Sequence, residues 1–286
     1  MKFAWIRDHQ HELDVRRMCR VLRVSTSGFY AWRKRPPSLR RKHREELAIK
    51  IRRVHLQSRR VYGSPRVCRA LLASGERVCE NTVARIMRQQ RIRARIKRRY
   101  VPRTTDSRHA HRPASNLLDR RFAADRPDRK WVADITYVAT DEGWLYLAAV
   151  LDLCSRRIVG WSMADHMKAQ LVSDALKMAI EQRRPDPGLL HHSDRGVQYA
   201  CDDYQHLLKT HGLECSMSGK GNCYDNAVME SFWATLKTEL IHQQRYVTRD
   251  QARLSIFEYI EGFYNRTRMH STLGYVSPEQ FEASRK

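Results

Sequence analysis

Three carboxylates stand where a purely structural protein has little use for them. Asp134 lies among Trp131, Val132, Ile135, Tyr137 and Val138, a stretch whose β-branched and aromatic residues predict a strand. Aspartate is depleted from strand interiors and costly to bury unpaired. Asp194 follows the apolar pair Leu189-Leu190 and precedes Arg195-Gly196, at the C-terminal end of a short strand, where α/β sheets hold ligands. Glu230 sits one turn into a helix opened by Asn226. At about 100° per residue, Met229, Phe232, Leu236 and Leu240 form that helix's buried stripe, and Glu230 and Lys237 share a direction at its border. Three converging carboxylates repel one another and protonate unless a cation neutralises them. Hard oxygen donors select Mg²⁺ or Mn²⁺. Two such ions, about 4 Å apart, activate a nucleophile and stabilise the leaving oxygen of a phosphodiester.

The elements around these acids must bring them together. Lys130 to Ala139, Trp144 to Leu151 and Ile158 to Met163 read as strands with short connections, an antiparallel meander. Residues 169–183 form a helix with Leu171, Val172, Ala175, Leu176, Ala179 and Ile180 inward, ended by Pro185-Asp186-Pro187-Gly188. A right-handed crossover through it returns strand 189–193 parallel to strand 131–139 and beside it. Asp134 and Asp194 then meet on neighbouring strands, with Glu230 above them. Helix 202–210, a strand near 213–217 and helix 227–240 complete an α/β domain with a mixed five-stranded sheet. Trp131, Trp144, Trp161 and Phe232 are expected in its core. His192 is expected to orient the site, to bind phosphate or to pack.

Composition names the partner's charge. The 286 residues, about two domains' worth, carry a formal charge of +23, which excludes a small acidic metabolic enzyme and asks for a polyanion. Residues 1–120 hold 33 Lys and Arg against 9 Asp and Glu, whereas 121–286 hold 21 against 22. No apolar run approaches the roughly 20 residues of a membrane span, and no secretory signal is expected. Seven cysteines without a C-x-x-C argue against a zinc ribbon or redox dithiol and for reduced, packed thiols. Val15 to Leu22 and the stretch through Phe29, Tyr30 and Trp32 suggest one helix-turn-helix. Tyr62 to Gln90 suggests a better one, with Ser64 and Asn81 as caps and Arg85 and Arg88 on its second helix. Arg91, Arg95, Lys97, Arg98 and Arg99 open a basic stretch, and polar residues 104–120 are expected to lie along a phosphate backbone. The Ser218 to Cys223 loop lacks Walker spacing; it is expected to move over the site, with Lys220 available to DNA.

Thirty-five residues separate Asp194 from Glu230. That spacing, with Trp131 to Tyr137, His192 to Gly196, Tyr224 to Ala227, Glu230 to Phe232, Leu236-Lys237, Tyr264-Asn265 with Arg268 and His270, and Leu273 to Tyr275 with Ser277-Pro278, resembles the OrfB transposases of the insertion-sequence-three family, whose cores are similar to retroviral integrases. The Tyr62 to Met87 segment resembles the family's upstream helix-turn-helix. The resemblance implies an RNase-H-like core over 123–286, preceded by an all-α, basic DNA-binding region over 1–122 with its helix-turn-helix at about 62–90. It implies Asp134, Asp194 and Glu230 as catalytic ligands of two Mg²⁺ or Mn²⁺ ions, and Lys237 on DNA phosphate near the cut. It implies cleavage at the element's terminal inverted repeats and joining of the 3′-hydroxyl to target DNA, by a homo-oligomer assembled on DNA in the cytoplasm at the nucleoid. The family's upstream-frame product, or a fusion with it, is a further expected partner. A purely hydrolytic nuclease and a non-catalytic DNA-binding regulator are the rival readings.

Overall fold

A computed structural model describes residues 1–95, 114–219 and 223–285. The chain forms two compact units, Met1–Arg53 and Val54–Lys286. In the first, α1 (Lys2–Asp8), α2 (Val15–Val21) and α3 (Thr26–Lys34) bury Ile6, Met18, Cys19 and Phe29 against Phe3, Val15, Leu22 and Trp32. Asp14 caps α2 by accepting the Arg17 N–H, and Ser25 caps α3 by accepting that of Gly28. α4 (Leu39–Gln57) runs across the boundary between the units.

The second unit opens with α5 (Ser64–Ala73) and α6 (Glu80–Gln89), which bury Val67, Cys68, Leu71, Val83, Ile86 and Met87. The caps differ from the sequence expectation. Gly63 and Cys79 hold the extended backbone of the N-cap position, so Ser64 and Asn81 already lie within their helices. The unit boundary lies well before the charge boundary because this helix pair is tied to the C-terminal segment. The Tyr62 hydroxyl donates to the Thr267 carbonyl at 3.1 Å and accepts the Met269 N–H at 2.8 Å.

The sheet comprises β1 (Lys130–Thr140), β2 (Gly143–Asp152), β3 (Ile158–Ala164), β4 (Leu190–Ser193) and β5 (Glu214–Met217), ordered β3-β2-β1-β4-β5. The first three form the antiparallel meander, and β4 and β5 add in parallel. The crossover helix α7 (Ala169–Arg183) covers one face, where Trp131, Ala133, Ala148, Val150 and Val159 meet Leu171, Val172, Ala175, Leu176 and Ala179. At Gly160 a β-carbon would stand 2.2 Å from the Ala175 carbonyl, so only glycine lets α7 approach so closely. The alternate residues Val132, Leu147, Ala149 and Leu151 are equally buried, so the sheet is covered on both faces.

α8 (Val197–Ala200) and α9 (Asp202–Thr210) follow β4, and a 3-10 turn (Cys223–Asn226) leads into α10 (Ala227–Glu239), which packs on β1. α11 (Arg249–Phe257), a π-helical turn (Glu258–Tyr264) and α12 (Pro278–Ala283) close the chain. Trp144 departs from the expected core: it is 50% exposed, because it stands at the β1–β2 hairpin tip and meets Tyr137 edge-on. Residues 114–118, expected to follow a phosphate backbone, instead dock beside β5, with Leu117 and Leu118 N–H groups on the Ser216 hydroxyl. No helix among the described residues is long and apolar enough to cross a membrane.

Candidate active site

The parallel ladder between β1 and β4 pairs Val132 with His192 and ends there. Continued by two residues, that register sets Asp134 opposite Asp194, as the crossover argument requires. Both are half-buried. The Asp134 carboxylate is held at each oxygen: the Ile135 N–H donates to Oδ1 at 2.8 Å, and the Trp233 indole N–H donates to Oδ2 at 3.0 Å. Asp194 Oδ1 accepts the Gly196 N–H at 2.9 Å.

Burial pushes the Asp134 carboxyl up to about 7, with further upward pressure from Asp194 and a smaller share from Glu230, against the two hydrogen bonds. All three acids therefore lie in one electrostatic neighbourhood. They do not close into a single cluster as they stand: among the described residues no three His, Cys, Asp or Glu side chains are gathered tightly enough to hold a metal ion. Glu230 is exposed and borders a groove of about 430 Å³ running along α10 past Ser231, Ala234 and Thr238 to Glu239 and Arg95. The donor set is all hard oxygen, and a divalent cation would offset both the burial and the repulsion that raise Asp134.

Lys237 lies against the Tyr137 ring at 5.0 Å from its centre, and near enough to Asp134 to feel its charge. Burial nevertheless holds its pKa below the ordinary lysine value. Asn226, read as the cap of α10, makes no cap bond; its amide donates to the Ala133 carbonyl at 3.1 Å and ties the helix start to β1. His192 is packed, with Nδ1 at 2.8 Å from the Ser216 hydroxyl and Nε2 at 3.1 Å from that of Ser218. Burial pushes it down to about 4, and both ring nitrogens are taken up by these two hydroxyls.

The basic residues divide. Arg85, Arg88 and Arg91 are exposed. Arg95 is half-buried and donates to the Glu239 carbonyl at the end of α10, so the protein already engages it. Lys97, Arg98, Arg99 and Lys220 lie outside the described residues.

Several structural partners of the site escaped the sequence reading. Trp233 is one. Asp225 is another: it accepts from Asn116, Arg120 and the Gly219 N–H, and so joins residues 114–120 to the turn before α10. A third is the buried pair of Glu239 and Arg268, bonded through both carboxylate oxygens at 2.7 and 2.8 Å, with the Tyr259 hydroxyl also on Glu239. The Asn265 amide brackets β3 by accepting the Ile158 N–H and donating to its carbonyl. The Tyr264 to His270 motif therefore packs the core and holds the end of α10.

Comparison with known proteins gives three family matches. An integrase core domain family matches residues 124–223, a second integrase core domain family matches 230–285, and an HTH-like domain family matches 42–100. The chain is similar to the transposase InsF for insertion sequence IS3A of Escherichia coli (strain K12), with 45% identity over 284 residues, 99% of this chain and 98% of that protein. It is similar, at 47% identity over 264 residues, to the insertion element IS600 uncharacterized 31 kDa protein of Shigella sonnei, covering 92% of this chain and 97% of that one. Among solved structures, the intasome of simian T-cell lymphotropic virus, in complex with the PP2A regulatory subunit B56 gamma, aligns at 15% identity and a TM-score of 0.47 over 81% of this chain and 74% of that one.

Proposed function

The chain belongs to the IS3 family of insertion-sequence transposases and carries an integrase catalytic core, and from that premise we propose that Asp134, Asp194 and Glu230 are its catalytic acids. The protein is a DNA-transposing enzyme, a polynucleotidyl transferase, with an HTH-like domain for DNA. The observation that carries the assignment is Asp134, set two residues beyond the last β1–β4 pair, its carboxylate held at both oxygens and its carboxyl raised by burial first and then by Asp194 and Glu230.

Two Mg²⁺ or Mn²⁺ ions, held by these three carboxylates, would supply an activated oxygen nucleophile and a stabilised leaving oxygen. The protein's own share is positional. β1 and β4 present two acids from adjacent strands, and α10 brings the third along a groove whose small side chains admit a DNA strand. Lys237, buffered against Tyr137, would meet a phosphate near the cut. Residues 1–122, with Arg85, Arg88 and Arg91 exposed, would grip the element's terminal repeats, and residues 123–286 would cut and rejoin strands. Two ends must be held together, so the working form is an oligomer of this chain on DNA, alone or with the upstream-frame product, at the nucleoid.

The test is substitution without change of shape. Asp134→Asn, Asp194→Asn and Glu230→Gln should each abolish strand joining in an assay with element-end and target DNA, while gel-shift affinity for the ends is retained. Loss of binding together with chemistry in all three would assign the acids a structural role. Cleavage without joined products in the unaltered protein would make it a nuclease instead.

A further inference from the structure

We propose that Trp233 is a positioning residue of the site, an inference that rests on reading Asp134 as a metal ligand: its indole N–H fixes the Asp134 carboxylate and ties it to the helix that carries Glu230. Trp233 stands on α10 one turn after Glu230, is 6% exposed, and donates from Nε1 to Asp134 Oδ2 at 3.0 Å. Its ring packs on Phe232, whose own ring meets Tyr264 edge-on. The donor is therefore held by packing that reaches into the C-terminal segment.

The choice of donor matters chemically. A carboxylate has about four lone-pair sites. The Ile135 N–H takes one on Oδ1 and Trp233 one on Oδ2, so each oxygen keeps a lone pair for a cation. Rotation of the carboxylate, which would cost a loose aspartate part of its affinity, is already stopped. A lysine or arginine in the same place would hold Asp134 equally well, but its positive charge would compete with a divalent ion. Indole donates without charge, accepts nothing and does not titrate. One further contact completes the clamp. At the start of α10, Asn226 grips the Ala133 carbonyl, next to Asp134 in the chain. The helix of Glu230 is thus pinned to β1 on both sides of that residue, and the separation of the two acids is set by the protein fold.

The experiment uses the full chain and reads Mn²⁺ binding directly, as loss of the free-ion electron paramagnetic resonance signal, beside strand cleavage. Trp233→Phe keeps the ring and removes the N–H. The expected result is Mn²⁺ affinity weakened about tenfold or more, as for other groups that orient metal ligands. The turnover rate should fall in step, with the DNA KM unchanged. Trp161→Phe, which removes an indole N–H bonded instead to Glu261, should leave Mn²⁺ binding alone. A loss of Mn²⁺ affinity of the same size in Trp161→Phe would make the effect a general one of losing an indole N–H and overturn the inference. Wild-type Mn²⁺ binding and turnover in Trp233→Phe, while Asp134→Asn loses both, would also overturn it. If Asp134→Asn itself binds Mn²⁺ as the unaltered protein does, the proposed metal site falls, and this inference with it.

Discussion

Asp225, five residues ahead of Glu230, is almost wholly buried and still held below the ordinary aspartate pKa. Burial pushes it up, but the Gly219 N–H and the Arg120 guanidinium, both on the carboxylate, outweigh that. A carboxyl lowered by folding adds stability that is complete above its unfolded pKa of about 3.9 and is lost as pH falls through the folded value. The unfolding midpoint should therefore drop on acidification below about pH 4, and Asp225→Asn should remove part of that dependence in thermal scans across pH. A midpoint with the same pH profile in both proteins would count against this account. At this scale the sequence was only partly legible. The three acids stood out because their types conflict with their surroundings. Trp233 did not, because Met229, Phe232, Leu236 and Leu240 already account for the buried face of its helix, and only the packed sheet shows where the indole N–H points. Arg95 shows the converse: in a run of basic residues it reads as a phosphate ligand, and only the fold shows that it also bonds to the end of α10.

Among the elements, α10 has most to position, and it is restrained along its length by Asn226, Trp233 and Glu239. The last restraint is an ion pair with both side chains under 10% exposed. Removing one partner of such a pair strands a buried charge, at about 3–5 kcal/mol. Arg268→Met should accordingly lower the unfolding free energy by about that amount in denaturant titration. Arg268→Met with Glu239→Gln should recover a large part of the loss; equal destabilisation by the single and double variants would mean that the charge is not what matters. The strands and α7 were readable from their β-branched runs and helical spacing, and the crossover rule correctly set β4 beside β1. Hairpin-tip exposure was not readable: Trp144 looks like any core tryptophan until the extent of its neighbours is known. Nor was the role of the Tyr264 to His270 motif, since its partners lie in β3 and at the end of α10, distant in sequence.

At the level of the whole molecule, the concentration of basic residues before position 120 leads us to expect phosphate contact as the main source of DNA affinity. The logarithm of DNA affinity should fall linearly with that of salt concentration, and Arg85→Gln and Arg88→Gln should each flatten the slope by about one counterion. A slope unchanged by both would place DNA on another face. The same charge split was visible in the sequence, but the compact units were not, because the contacts that join α5 and α6 to the rest come from the far end of the chain. Tyr62 is bonded to residues 267 and 269, and Arg66 stands 4.0 Å from Glu239. This has a consequence for building hybrid transposases with altered end preference. A graft of residues 62–90 alone would leave its anchoring partners behind in the donor, so a working cassette has to carry the segment around 239–269 as well.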